Sequence, residues 1–252
     1  MLENKIKKLY KGKVLKVEKV SESSYFMEFE AGDLSAKPGQ FISIYCEGLT
    51  LRRPFSVYSF NNGKIGILFK ERGEGTKYLS SLKEGESVDI AGSFGNGFNI
   101  ENKKSLLVGA GIGVAPMVFL QSELKKQGIE NLFISGFLNK NEVINTINID
   151  KIYTDDGSMG QKGSILEYLE DVIKEYKPEI IYSCAPYVVL KQAAKIGEKY
   201  GIKTQVAMEK VMACGIGVCR GCVIEVVKEG KIQNASVCKE GPVFYGNEVV
   251  WQ

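Results

Sequence analysis

The chain has 252 residues, 44% hydrophobic and 25% charged, which at about 150 residues per domain suggests roughly two domains and argues against disorder, collagen and simple coiled coil. The 33 lysines and arginines against 30 aspartates and glutamates leave +3, so no nucleic-acid or membrane-surface footprint is expected. Histidine is absent, which removes histidine-based triads, histidine zinc sites, Rieske centres and histidine-ligated haem.

In chain order, Met1 to Lys13 is too densely charged to hold the apolar core of a secretory signal, so a cytoplasmic protein is expected. Short β-rich runs follow at Val14 to Val20, Tyr25 to Phe29, Gln40 to Cys46, Ser56 to Phe60, Lys64 to Phe69 and Ser87 to Ala91. Spacers such as Lys37-Pro38-Gly39, Asn61-Asn62-Gly63 and Lys83-Glu84-Gly85 separate them, the pattern of a small antiparallel barrel. Beyond Lys104 the rhythm becomes strand, glycine turn, helix. Ser105 to Val108 leads into Gly109-Ala110-Gly111-Ile112-Gly113, and Pro116 to Gln127 reads as a helix. Leu132 to Phe137, Ile149 to Tyr153, Ile165 to Tyr176, Ile180 to Cys184, Tyr187 to Tyr200 and Thr204 to Met208 continue the alternation, which predicts a parallel α/β sheet. The apolar run Leu106 to Leu120 is too short to span a bilayer and is broken by glycines and Pro116, so it reads as a loop between two elements. From about Val211 a glycine- and cysteine-rich tail follows, with Val223 to Val227 its clearest strand. The expected division is 1–100, 101–210 and 211–252.

Cysteines carry the strongest chemical signal. Cys214, Cys219 and Cys222 are spaced CxxxxCxxC, and Cys238 follows after fifteen intervening residues, the plant-type ferredoxin spacing of a [2Fe-2S] cluster. Gly215, Gly217 and Gly221 let the backbone wrap closely and turn amides toward sulfur. Zinc is the structural rival, because four thiolates also close a zinc site, although zinc ribbons usually pair CxxC knuckles. Cys46, alone in a β run, reads as a small core residue.

The turn Gly109 to Pro116 stands where a helix amino terminus would present amides to a pyrophosphate, although glycines there also serve packing. Val114 occupies the place of the third glycine of GxGxxG, and no acidic residue closes the following strand, so that rule does not choose between NAD and NADP. Three short motifs complete the set: Arg53-Pro54-Phe55-Ser56, Gly73-Glu74-Gly75-Thr76 and Gly92-Ser93-Phe94-Gly95-Asn96-Gly97-Phe98. An arginine fork beside a hydroxyl suits phosphate, as do glycine-threonine amides; the alternatives are a surface arginine and two tight turns.

Taken together with Cys184-Ala185-Pro186, these motifs resemble the ferredoxin-NADP reductase superfamily. Adding the tail cysteines, with Cys238 set in Val237 to Phe244, the whole chain resembles the electron-transfer subunits of two-subunit, NAD-dependent dihydroorotate dehydrogenases. The resemblance implies an antiparallel β-barrel FAD domain, a parallel α/β nucleotide domain and a small carboxyl-terminal [2Fe-2S] domain. It implies that Arg53, Pro54, Phe55 and Ser56 bind FAD, with Arg53 on the phosphates and Ser56 near the flavin. Leu68, Phe69 and Lys70 match a strand beside the FAD, and Gly75 and Thr76 the turn over its pyrophosphate. Gly109, Gly111 and Gly113 match the NAD loop, Thr154-Asp155-Asp156-Gly157-Ser158 matches further sequence of that domain, and Cys214, Cys219, Cys222 and Cys238 match the cluster ligands. Two departures touch the expected flavin and nicotinamide geometry: Ser93 replaces a proline and Ala185 a glycine.

The implied activity is electron transfer from the FMN of a catalytic subunit, through [2Fe-2S] and FAD, to NAD in pyrimidine biosynthesis, within a two-plus-two heterotetramer. Flavin is required between the carriers because nicotinamide moves electrons in pairs and the cluster singly. Two other readings stay open: a reductase module for another partner, such as ferredoxin or sulfite reductase, and a zinc-binding structural module.

Overall fold

A computed structural model of the protein describes residues 9–252. Residues 1–8 of the stretch read as unlike a secretory signal lie outside the described residues. Among the described residues no helix is long and apolar enough to cross a membrane.

Strands β1 (Leu9–Lys19), β2 (Ser24–Glu30), β3 (Phe41–Ile44), β4 (Arg53–Asn61), β5 (Lys64–Lys70) and β6 (Ser87–Phe94) form a closed barrel in the order β1-β2-β5-β4-β3-β6. Every pairing is antiparallel, and closure leaves no edge open to another chain. Val14, Met27, Phe29, Ile42, Val57, Ile65, Ile67 and Ile90 point inward and are fully buried. The segment read as a glycine-threonine turn continues into a helix, α1 (Glu74–Ser81), whose apolar content is too small for periodicity to reveal: Leu79 is its one large buried side chain.

The second unit comprises β7 (Ser105–Ala110), α2 (Val114–Lys126), β8 (Asn131–Phe137), β9 (Lys151–Thr154), β10 (Gln161–Lys162), α3 (Ile165–Tyr176), β11 (Ile180–Cys184), α4 (Tyr187–Lys199) and β12 (Lys203–Ala207). Leu106 to Leu120, expected as a loop, is instead the end of β7, a one-turn 3-10 helix at Gly111–Gly113 and most of α2. Pro116 is the third residue of α2, within the first turn, where a missing amide breaks no helical bond.

The tail adds the hairpin β13 (Val223–Lys228) and β14 (Lys231–Ser236) and then β15 (Val243–Tyr245). The sheet runs β10-β9-β8-β7-β11-β12-β15. Its first six strands are parallel, as expected, but β15 pairs antiparallel with β12, so the tail supplies an edge strand that the alternation did not foretell. Strand order reverses at β7, which opens a crevice at the carboxyl ends of β7 and β11. Cys222, Ile224, Val226, Ala235 and Val237 share one apolar cluster with Ile181 and Val206 of the sheet. The tail is thus packed on the parallel sheet and, among the described residues, shares its core.

A second tie joins the tail to the barrel. The Asn96 carboxamide donates to the carbonyls of Val243 at 2.8 Å and Glu240 at 3.2 Å and accepts from the Val243 amide at 3.0 Å. A Cβ at Gly95 would lie 2.5 Å from Pro242 Cδ, so the turn and the tail meet backbone to backbone. The Gly92–Phe98 motif, expected to shape the flavin and nicotinamide surroundings, therefore clamps the tail. Ser93 instead bonds within the barrel, donating to the Ser35 carbonyl at 2.7 Å.

Asn96→Ala removes those three side-chain bonds and leaves two carbonyls of the tail short of a partner. At about 0.5–1.5 kcal/mol per bond, we expect a loss on the order of 2–3 kcal/mol, read as a lower urea midpoint.

Candidate functional site

On the barrel, β4 and α1 bring Arg53 and Gly75 together. A Cβ on Gly75 would lie 2.8 Å from Arg53 Nε, so glycine lets the arginine lie flat along the turn. Arg53 Nη1 donates to the Leu51 carbonyl, and Cys46 Sγ donates to the Gly75 carbonyl at 3.5 Å from beneath. Burial pushes the Cys46 thiol up, against the opposing pull of Arg53, and Cys46 is a core residue, as read from the sequence. Thr76 turns back on its own loop: its hydroxyl accepts from the amides of Arg72 at 2.8 Å and Gly73 at 3.1 Å and donates to the Gly73 carbonyl at 3.0 Å. It shapes the turn that starts α1. Phe55 and Phe69 pack with ring centroids 5.7 Å apart, Leu68 is buried, and Pro54 and Ser56 sit opposite Ser43 and Phe41 of β3. Lys70, at the end of β5, pairs with Glu142 of the nucleotide unit. A guanidinium, a helix start without a side-chain cap on its amides, and a hydroxyl along one strand form a donor set that fits a pyrophosphate continued by a flat ring.

Parallel strands deliver the second group to one edge. The three glycines after β7 do different work. A Cβ at Gly113 would lie 2.2 Å from the Cys184 carbonyl, and one at Gly109 would touch Phe133 and Val114, so both serve close packing of α2 on the sheet. Gly111 has φ +52 with open space where a Cβ would point, which leaves backbone accessible in the crevice. Cys184-Ala185-Pro186 closes β11 beside it, and burial pushes the Cys184 thiol up to about 12. The turn after β9 lies on the same carboxyl edge, with Ser158 donating to Asp156 Oδ1 from its hydroxyl at 2.6 Å and its amide at 2.9 Å.

The four tail cysteines come together as two pairs. The Cys219 amide donates to Cys214 Sγ and the Cys238 amide to Cys222 Sγ, each at 3.4 Å, and the Gly221 amide donates to Cys219 Sγ at 3.4 Å. Burial works against the Cys214 thiolate, but hydrogen bonds from the amides of Cys219, Ile216 and Val218 outweigh it and hold the thiol down at about 6. Burial, then the neighbouring Cys222, pushes Cys238 up to about 12. Among the described residues no three histidine, cysteine, aspartate or glutamate side chains surround a single-ion position. Two contacting pairs, wrapped by amides aimed at sulfur, fit a two-iron cluster with two thiolates per iron better than a four-thiolate zinc cage. Gly217, at φ +83, lies under the Lys239 stem, 2.6 Å from where its Cβ would be. Cys219 is exposed, and in the same segment Val211, Ile216 and Val218 are 88%, 53% and 75% exposed.

The cysteine loop is seated on the barrel. A Cβ at Gly215 would lie 3.4 Å from Ser43 Oγ and 4.0 Å from the Phe41 ring. Ser43 pairs with Pro54 and Phe41 with Ser56, so one strand spacing, about 4.8 Å, separates the seat of the loop from the Arg53–Ser56 segment. Ser43 and Phe41 escaped the sequence reading because no local pattern marks a barrel strand as a seat for a distant loop.

Residues 209–250 match the family model described as the iron-sulfur cluster binding domain of dihydroorotate dehydrogenase B. The chain is 39% identical over 251 residues to the dihydroorotate dehydrogenase B (NAD(+)) electron transfer subunit of Caldanaerobacter subterraneus subsp. tengcongensis, covering 96% of this chain and 98% of the relative. The corresponding protein of Clostridium acetobutylicum is 35% identical, over 92% of this chain and 93% of its own. Among solved structures, an NADH-dependent reduced ferredoxin-NADP oxidoreductase studied for flavin-based electron bifurcation superposes with a TM-score of 0.83 at 27% identity, covering 95% of this chain and 90% of the other. A ferredoxin NADP+ reductase from Neisseria gonorrhoeae with bound FAD and NADP shares the fold, with a TM-score of 0.64 at 16% identity over 77% of this chain and 92% of its own.

Cys219→Ser should lower bound iron and acid-labile sulfide several-fold in anaerobically purified protein, whereas Cys46→Ser should retain both. Equal iron in the two variants would contradict the assignment of the tail cysteines.

Proposed function

Because the chain belongs to the family of electron transfer subunits of NAD-dependent dihydroorotate dehydrogenase B, we propose that it carries electrons from the FMN of a catalytic subunit, through a [2Fe-2S] cluster and FAD, to NAD+ in pyrimidine biosynthesis. The observation that carries this reading is the seat of the cysteine loop on β3, one strand away from the Arg53–Ser56 segment. FAD bound along β4 and β5 supplies the exchange between hydride at the nicotinamide and single electrons at the cluster.

The residues of this chain bind, space and shield. Arg53 and the first turn of α1 offer cationic and amide donors to the FAD pyrophosphate; Gly75 makes room for the arginine, and Thr76 holds the turn in shape. Pro54, Phe55 and Ser56 line the flavin, with Leu68, Phe69 and Lys70 along the adjacent strand. Gly111 leaves its backbone open to a nicotinamide dinucleotide, while Gly109 and Gly113 bring α2 and β11 close enough to form the crevice. Cys214 and Cys219, and Cys222 and Cys238, would hold the cluster, with the amides of Cys219, Gly221 and Cys238 stabilising charge on sulfur. The functional division follows the same three segments, 1–100 for FAD, 101–210 for NAD and 211–252 for the cluster, within a cytoplasmic protein whose thiolates need a reducing compartment.

Oxidation of dihydroorotate also requires a proton to leave carbon, and this reading assigns that step to the FMN-containing catalytic subunit. The exposed apolar residues Ile216 and Val218 of the loop that carries Cys219 fit the docking face for that subunit, in an assembly of two plus two. A second reading, the same module serving a ferredoxin-type partner, is supported by the TM-score of 0.83 over 95% of the chain to the ferredoxin-NADP oxidoreductase.

The deciding experiment is co-expression with an FMN-containing catalytic subunit and an assay of dihydroorotate-dependent NAD+ reduction. Turnover with dihydroorotate supports the first reading; a complex that ignores dihydroorotate but exchanges electrons with ferredoxin supports the second. Val218→Asp should cut the coupled reaction at least tenfold, because a buried unpaired carboxylate is costly at an interface. It should leave NADH oxidation by ferricyanide within about twofold, since Val218 belongs to the cysteine loop and not to the Gly109–Gly113 turn.

A further inference from the structure

Between β8 and β9 the chain makes a short excursion, a one-turn 3-10 helix at Lys140–Glu142, that reaches across to the barrel. Val143 and Ile144 directly after it are buried in the apolar cluster on the α2 face of the sheet, which anchors the excursion from below. The Glu142 carboxylate receives the Ser23 hydroxyl at 3.1 Å and 3.3 Å on its two oxygens and forms an ion pair with Lys70 Nζ. Both charged side chains are only 17% exposed, so salt screens the pair weakly. A backbone bond from the Glu22 amide to the Asn141 carbonyl at 2.9 Å runs alongside.

The opposite side of the same excursion holds the turn after β9. The Lys140 amide donates to Ser158 Oγ at 2.7 Å, and that hydroxyl donates to Asp156 Oδ1. Three residues of chain therefore touch both the strand assigned to FAD and a turn on the nicotinamide edge. Lys70 lies opposite Ser24 in the β2–β5 ladder, so the barrel side of the contact is also fixed by sheet register. A carboxylate this enclosed, with a cation and a hydroxyl fitted to it, is costly to build on the surface of a loop unless its position matters.

We infer that Glu142 is a positioning residue for the hydride step: it holds the Lys70 ammonium in place at the flavin, offsets its charge, and fixes the nucleotide unit against the barrel. This rests on the reading that Lys70 lies beside the FAD. An uncompensated ammonium there would favour the electron-rich, reduced flavin, so Glu142 keeps the flavin a poorer acceptor than Lys70 alone would make it. Removing the charge also loosens the docking of the two units, which costs orientation between flavin and nicotinamide.

The test uses the full chain loaded with FAD and cluster, comparing Glu142→Gln, Lys70→Met and the double variant. Three quantities are read: FAD affinity, flavin midpoint potential by dye-equilibrated titration, and the rate of flavin reduction by NADH in stopped flow. Glu142→Gln should keep stoichiometric FAD, raise the flavin midpoint, and slow the limiting reduction rate about tenfold, the loss carried by one charge-assisted hydrogen bond. Ser23→Ala, which removes a neutral donor to the same carboxylate, should shift the rate in the same direction by less. In the Lys70→Met background Glu142→Gln should slow the reduction rate no further, because the lysine through which it holds the barrel is gone.

An unchanged midpoint and rate in Glu142→Gln, alongside altered FAD affinity or midpoint in Lys70→Met, would overturn the role of Glu142 and leave Lys70 at the flavin. A rate loss of equal size with and without Lys70 would also overturn it. Should Lys70→Met itself leave affinity and midpoint untouched, the placement of Lys70 beside the flavin falls, and the inference with it.

Discussion

Gly215 resting over Ser43 is the contact on which the function depends, because one-electron transfer requires the cysteine loop to sit close to the flavin strand and nothing in the tail alone can arrange that. Two attachments hold it there. The tail gives β15 to the free edge of β12, and Asn96 and Gly95 of the barrel grip residues 240–243. The tail is therefore tied both to the nucleotide sheet and to the barrel, and it fixes the loop against both. Its apolar residues complete the sheet's own cluster, so the cluster-binding segment gains rigidity from neighbours already folded.

The glycines illustrate how one residue type serves different physical ends in this molecule. Gly111 is needed for its backbone angle and openness, whereas Gly113 and Gly75 are needed because another group occupies the place of a side chain. Gly113 lets α2 approach the end of β11, and Gly75 lets Arg53 lie across the start of α1. Gly113 packs beneath the groove at the carboxyl ends of β7 and β11, and Gly75 belongs to the barrel. The groove lies at the reversal of strand order, where sheets of this kind leave a crevice for nucleotides.

Electrostatics follows the same plan of local enclosure. On the barrel, Arg53 lies along the start of α1, and Lys70 is met by Glu142 from the other unit. In the tail, amides replace cations as the partners of sulfur, which suits thiolates that must stay charged while bound to metal. Val211, Ile216 and Val218 are exposed apolar residues of the segment that carries Cys219, the one exposed cysteine of the set.

Much of this could be read from residue order alone. β-rich runs parted by turn residues marked the six barrel strands, the CxxxxCxxC spacing with Cys238 singled out the four cysteines that come together as two pairs, and the runs read at Ile165–Tyr176 and Ile180–Cys184 have the bounds of α3 and β11. These signals are local, being written in spacings of a few residues that the backbone geometry of a helix, a strand or a metal loop enforces. Helix α1 was hidden because it buries too little apolar surface to show a period, and β15 because three residues cannot declare which edge they will join. The seat of the cysteine loop on Ser43, the Asn96 clamp and the Glu142–Lys70 pair were decided only in three dimensions. Each joins residues separated by more than 70 positions, and contacts at such range are fixed by packing of whole units, which leaves no periodic trace in the chain.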